Sequence, residues 1–281
     1  MLFRALSIPV TLIALPVLGY AAICVMLFLR QDRMIFFPSL HGEGEFDALA
    51  RLAGFEPWMD QSGEQLGWKK TCPDAERIIL ACHGNAGSAV DRFDLAPLLS
   101  TGPKVDLYLL EYPGYGARRG NPSEESLVDA AVSGVDIITA SQSQPLWLLG
   151  ESLGTGVASA TIAKRPDAID GLILLTPFDS LVGAAQNLYP WLPVGALLRH
   201  RFDSIKNLSG FRGPVAIGIA GQDMTTPPEL GRRLAEGIAA PSRIWIAPNA
   251  GHNDTAELLE PWVEMAAWLD ATGRENVEAR P

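Results

Sequence analysis

Six short, almost uninterrupted apolar runs recur between residues 77 and 248, and they constrain the fold more than any other feature of this 281-residue chain. They are Arg77–Cys82 (RIILAC), Val105–Leu110 (VDLYLL), Pro145–Gly150 (PLWLLG), Gly171–Thr176 (GLILLT), Pro214–Gly221 (PVAIGIAG) and Arg243–Pro248 (RIWIAP). Runs of this length without polar alternation read as strands buried on both faces, which means a parallel sheet. Helical patterns separate them. One opens at Ser123, an N-cap residue followed by two glutamates that favour a helix N-terminus, and runs to about Ala140. Others span Leu153 to Lys164, Pro228 to Ala239 and Asp254 to Asp270. Such alternation predicts an α/β domain with a mostly parallel, doubly wound sheet. Ligands of open α/β sheets bind beyond the C-terminal ends of the strands, so the chemistry belongs just after each run.

The N-terminus is of a different kind. From Leu6 to Leu29 no residue is charged. Ile8 to Leu29 is about 22 residues, which at ~1.5 Å each spans a hydrocarbon layer of ~30 Å. Pro9 and Pro16 fall within it, and membrane helices tolerate them better than soluble ones do. Tyr20 sits inside the run, away from either interface. A cleaved signal peptide has a shorter apolar core and a small-residue cleavage site, whereas Phe28-Leu29-Arg30-Gln31 follows here. Lipid modification of Cys24 wants a small preceding residue, and Ile23 is not small. The expectation is one uncleaved, single-pass transmembrane signal anchor. Arg4 on one side balances Arg30 and Arg33 on the other, so the charges favour neither orientation. The expected organisation is an anchor and short linker over residues 1–33, the linker being Gln31–Arg33. A catalytic domain over 34–270 and a flexible polar tail over 271–281 follow.

The formal net charge is −10, which repels phosphate backbones and argues against nucleic acid as a partner. The three cysteines, Cys24, Cys72 and Cys82, make neither a disulfide framework nor a zinc spacing, and read as free thiols.

Gly150-Glu151-Ser152-Leu153-Gly154 is a G-x-S-x-G pentapeptide between a strand run and a helix pattern. A sharp strand-to-helix turn there lifts the Ser152 hydroxyl above the sheet, and flanking glycines avoid clashes. Asp223 follows the run at 214–221 and can hold an imidazole in one tautomer. His252 follows the last run and is the only one of the four histidines placed after that acid. Asp179, after the run at 171–176, is the rival acid, and Asp254 reads as the cap of the following helix. His83-Gly84-Asn85-Ala86-Gly87 follows the first run. Acyl transfer places negative charge on a carbonyl oxygen, and the expected oxyanion donors are the backbone N–H groups of Asn85 and Leu153. His83 reads as structural, holding this loop. Glu111 to Gly116 (EYPGYG) is a turn packed beside it, and Arg118 with Arg119 a solvated positive turn. The apolar stretch from Leu181 to Phe202 is a small lid.

With HGNAG (83–87), EYPGYG (111–116), NPSEESL (121–127), GESLGTGVA (150–158), LTPFDSL (175–181) and GHND (251–254) in this order, the chain resembles the α/β-hydrolase superfamily. Within it, the chain is similar to small membrane-anchored serine hydrolases of serine-aminopeptidase-like type. Ala117-Arg118-Arg119 departs from the small polar residue usual there. The resemblance implies an α/β-hydrolase fold with a small lid and one N-terminal transmembrane helix. It also implies a catalytic triad of Ser152, Asp223 and His252, an acyl-enzyme intermediate, and no metal or organic cofactor. The expected substrate is a carboxylic ester or thioester of a hydrophobic, lipid-like acyl group. Three alternatives stay open at this point. One is an aminopeptidase, for which Glu151 or Glu111 would hold the substrate amine. The second is a membrane-tethered binding protein on an inactive hydrolase scaffold, and the third a non-hydrolytic enzyme such as a lyase or cofactor-free peroxidase.

Overall fold

The structure, a computed structural model, describes residues 10–278; Arg4, Pro9 and residues 279–281 lie outside the described residues. It opens with helix α1 (Val10–Ile35), then strand β1 (Phe37–Pro38), α2 (Asp47–Ala53), β2 (Glu56–Met59), β3 (Gln65–Lys70), β4 (Arg77–Cys82) and β5 (Ala86–Gly87). After α3 (Leu95–Leu98) and β6 (Val105–Leu110) come α4 (Glu124–Ser141), β7 (Leu146–Glu151), α5 (Leu153–Lys164) and β8 (Gly171–Leu175). The lid helices α6 (Leu181–Leu188) and α7 (Val194–Leu197) follow, then α8 (Ser204–Asn207), β9 (Val215–Ala220), α9 (Pro228–Gly237), β10 (Ser242–Ala247), α10 (Thr255–Leu258) and α11 (Trp262–Glu278).

Among the described residues the main sheet has eight strands in the order β10-β9-β8-β7-β4-β6-β3-β2. The six strands from β10 to β6 run parallel, and these are the six apolar runs. The antiparallel pair β3 and β2 extends one edge. Neither was expected, because Glu56–Met59 and Gln65–Lys70 are short and mixed in polarity and send no periodic signal.

Side chains alternate across a strand, so each parallel strand feeds two cores. Ile78, Leu80 and Cys82 of β4 join Leu148, Leu174 and Ile217 beneath α4, α5 and α9. Ile79 and Ala81 join Trp147, Ile173 and Leu175 beneath α3, α10 and α11. Helices on both faces explain why these strands carry no polar alternation. The last strand differs: β10 is the edge and is only half-buried, not covered on both faces as its apolar run suggested. At the N-terminus of α4 the Ser123 hydroxyl accepts from the Ser126 N–H (3.0 Å), as the sequence implied.

The helical stretch expected over 254–270 is two helices parted at Pro261. The tail expected to be frayed from 271 continues α11 to Glu278. No linker separates the apolar N-terminal helix from the domain either. Helix α1 runs unbroken through Gln31–Arg33, because Gln31 and Asp32 are bound by the lid's far end: Arg199 N–H donates to Gln31 Oε1 (2.7 Å), and Asp32 pairs with Arg199 and His200.

Candidate active site

The turn from β7 to α5 places Ser152 at φ 51°, ψ −116°, a conformation that L residues rarely adopt. The neighbouring glycines permit it. A Cβ at Gly154 would overlap the Cys82 carbonyl, and one at Gly150 would lie 2.6 Å from the Gly154 carbonyl oxygen. Ser152 N–H donates to Leu175 O (3.0 Å) and ties the turn to β8. Beneath it, Glu151 is buried and accepts two hydrogen bonds from Arg92, at 2.6 and 2.8 Å.

Ser152, His252 and Asp223 come together from three loops as one hydrogen-bonded chain. Ser152 Oγ lies 2.9 Å from His252 Nε2, and His252 Nδ1 lies 2.7 Å from Asp223 Oδ2. A carboxylate accepts only, so Nδ1 carries the proton and Nε2 is left to accept from the serine hydroxyl. Asp223 also accepts from the N–H groups of Thr225 (2.7 Å) and Thr226 (2.8 Å), and the Thr226 hydroxyl sits 2.8 Å from its Oδ2. Burial pushes the Asp223 carboxyl up. The hydrogen bond and charge of His252, with the Thr226 bonds, outweigh burial and hold it below the ordinary carboxylate value. Thr226 gave no signal in the sequence beyond its place in a loop. The rival acid, Asp179, pairs instead with Arg233 (2.8 Å). Asp254 was read as a helix cap, but its carboxylate turns back to accept from the Gly251 N–H (2.7 Å) and braces the histidine loop.

The expected oxyanion donors sit on two peptide planes whose carbonyls are each held by a side chain. His83 Nδ1–H donates to the Gly84 carbonyl (2.8 Å), in the same plane as the Asn85 N–H. The Thr155 hydroxyl donates to the Ser152 carbonyl (2.6 Å), in the same plane as the Leu153 N–H. A trans peptide is rigid, so fixing the carbonyl fixes the N–H on its opposite side. Among the described residues, neither N–H donates to a protein acceptor. The loop is held from its other side too. The Asn85 carbonyl accepts from Phe37 N–H (2.9 Å) and from the Tyr115 hydroxyl (2.9 Å), β1 pairs with β5, and the Tyr112 hydroxyl donates to His83 O (2.9 Å). The EYPGYG aromatics therefore buttress this loop and do not line the cavity.

Arg118 is not the solvated residue its sequence neighbourhood suggested. Its guanidinium donates to the Glu111 carbonyl (2.8 Å) and pairs with Glu64, while Arg119 is exposed. A cavity of about 320 Å³ opens over Ser152, walled by Phe178, the lid and one face of α1. Its lining is almost wholly apolar, and neither Glu111 nor Glu151 is part of it. Glu111 is instead buried near His83 and His41.

A family model described as the alpha/beta hydrolase fold matches residues 77–198. An uncharacterized protein of Mycobacterium tuberculosis is 33% identical over 271 residues, covering 94% of this chain and 94% of its own. The lysophosphatidylserine lipase ABHD12 of Mus musculus is 31% identical over 206 residues, which is 66% of this chain and 51% of that one; the chain spans about half the length of this relative. Among solved structures, an alpha-beta hydrolase of Vibrio vulnificus overlays with a TM-score of 0.59 at 20% identity, covering 82% of this chain and 86% of that one. The chain belongs to the α/β-hydrolase family.

Proposed function

We propose that the protein is a membrane-anchored serine hydrolase that cleaves carboxylic esters or thioesters of hydrophobic acyl groups. The observation that carries this reading is the hydrogen-bonded chain Ser152–His252–Asp223 opening onto an apolar cavity. His252 takes the Ser152 proton as the hydroxyl attacks the acyl carbonyl, and Asp223 orients the ring and stabilises the imidazolium. The N–H groups of Asn85 and Leu153 meet the developing oxyanion, each such donor contributing roughly 3–4 kcal/mol. His252 returns the proton to the leaving group, then activates water to release the acid.

The relative named as a lysophosphatidylserine lipase supports an ester of a lipid-like acyl group. The aminopeptidase alternative loses support, because Glu151 is committed to Arg92 and neither candidate glutamate reaches the cavity. Helix α1 is long and apolar enough over Ala14–Ile35 to cross a bilayer and serves as the anchor. The test is labelling of the detergent-solubilised full chain by a fluorophosphonate probe beside Ser152→Ala. Labelling of the wild type that vanishes in the variant is the expected result. Absent labelling of folded wild type would overturn the reading in favour of an inactive scaffold.

A further inference from the structure

Helix α1 is more than a tether, because the cavity over Ser152 is built partly from it. Ile23, Leu27, Phe28, Gln31, Met34 and Ile35 line the cavity. Their spacing is that of one helix face, and it extends about 18 Å along the axis at 1.5 Å per residue. The lid supplies the facing wall. Polar bonds clamp helix and lid together at two levels. Gln31 Nε2–H donates to the Leu197 carbonyl (3.1 Å) at the domain end, and the Tyr20 hydroxyl donates to the Trp191 carbonyl (3.0 Å) about three turns earlier.

That second bond fixes a depth. Tyr20 precedes Arg30 by roughly 15 Å of helix, well inside the apolar span. The lid tip bonded to it carries large exposed apolar side chains: Trp191 is 57% exposed, Leu188 46% and Tyr189 40%. An apolar tip held beside a membrane-crossing helix meets lipid rather than water. Two other cavities among the described residues lie away from Ser152, one by Arg77 and Asp170 at the opposite ends of the strands and one by Trp245 and Pro261. The cavity over Ser152 is apolar and runs along the face of α1.

We propose that helix α1 is the outer wall of the acyl pocket, and that it and the lid tip admit a single-chain acyl lipid sideways from the adjoining bilayer leaflet. This rests on the ester-hydrolase reading above and adds its substrate class and the residues that select it. The anchor then sets acyl-length preference, and the substrate reaches Ser152 without crossing water.

The experiment uses the full chain in lipid nanodiscs with p-nitrophenyl butyrate and p-nitrophenyl palmitate. Leu27→Trp fills the channel from the helix side. It is expected to lower kcat/KM for palmitate at least about tenfold and leave butyrate within about twofold. Val25→Trp, on an exposed position of α1 outside the cavity lining, changes neither. In nanodiscs of brominated lipid, wild-type tryptophan fluorescence is quenched, and Trp191→Phe removes a measurable share of that quenching. An equal effect of Leu27→Trp on both esters, no effect on either, or quenching that is independent of Trp191 would overturn the proposal. A wild type that cleaves neither ester removes the hydrolase reading and this inference with it. Butyrate cleavage with a flat length response in Leu27→Trp removes the inference alone.

Discussion

The rim of the sheet around Ser152 and the wall made by α1 and the lid meet in one cavity but are built on opposite principles. On the rim directional hydrogen bonds set the positions of the groups around Ser152. Asp223 takes bonds from His252, Thr225 and Thr226; the carbonyls of the two peptides proposed as oxyanion donors are pinned by His83 and Thr155; the strained Ser152 is seated between glycines on a buried turn. On the wall the lining is aliphatic and aromatic, and a few hydrogen bonds with the ion pairs of Asp32 set the position of the lid. Directional bonds hold reacting atoms to fractions of an ångström, whereas apolar contact is non-directional and tolerates chains that slide. On the proposed function, the contrast assigns bond-making to the rigid parallel sheet and selection of the acyl group to the elements laid over it.

Changes on the rim are expected to lower turnover and changes on the wall to alter preference, and a series of variants orders the effects. Ser152→Ala has the largest, a loss of roughly 10⁵-fold in kcat, read by ester hydrolysis with unchanged circular dichroism. Asp223→Asn follows, at roughly 10⁴-fold, because the neutral amide no longer dictates the His252 tautomer. Asp179→Asn should stay within a few-fold, and a reversal of these two would reassign the acid. His83→Phe keeps a ring against Tyr112 but drops the bond to the Gly84 carbonyl. If that bond aims the Asn85 N–H, kcat falls about 10²-fold with KM little changed; a rise in KM alone, or loss of folding by thermal melt, would break the idea that His83 acts through the peptide.

Thr226→Val is smaller still, about tenfold in kcat/KM for one bond to a charged group. It also carries a pH signature. Asp223 has a folded pKa below its ordinary value, so its contribution to stability is in place above about pH 4 and is lost as pH falls through the lowered value. Thr226→Val raises that value, and acid unfolding followed by circular dichroism should begin at higher pH; an unchanged midpoint would argue against the hydroxyl's role. Tyr20→Phe is the smallest and belongs to the wall. Losing one neutral hydrogen bond, about 1 kcal/mol, should cost two- to fivefold in kcat/KM on long-chain esters and nothing on short ones. A loss on both would blur the division between rim and wall.

Local pattern and local chemistry were legible in the chain alone. Buried parallel strands carry unbroken apolar runs, so β4 and β6 to β9 were readable within a residue or two of their ends, and the Ser123 cap marked α4. The Ser152 turn was readable because only small neighbours fit it. Order along the chain pointed to Asp223 and His252 as well. What the tertiary structure decided depends on groups distant in sequence. It brought Asp223 to His252 across 29 residues and turned Asp179 to Arg233, two carboxylates whose local settings look alike. It buried Arg118 against Glu111 and Glu64 and placed the β2–β3 pair on the sheet edge. It replaced the expected linker with continuous helix, because Gln31 and Asp32 find partners more than 160 residues away in the lid. Periodicity reports how a segment faces water. It carries no record of which distant donor will meet a given acceptor, and that pairing made an apolar N-terminal helix into one side of the cavity.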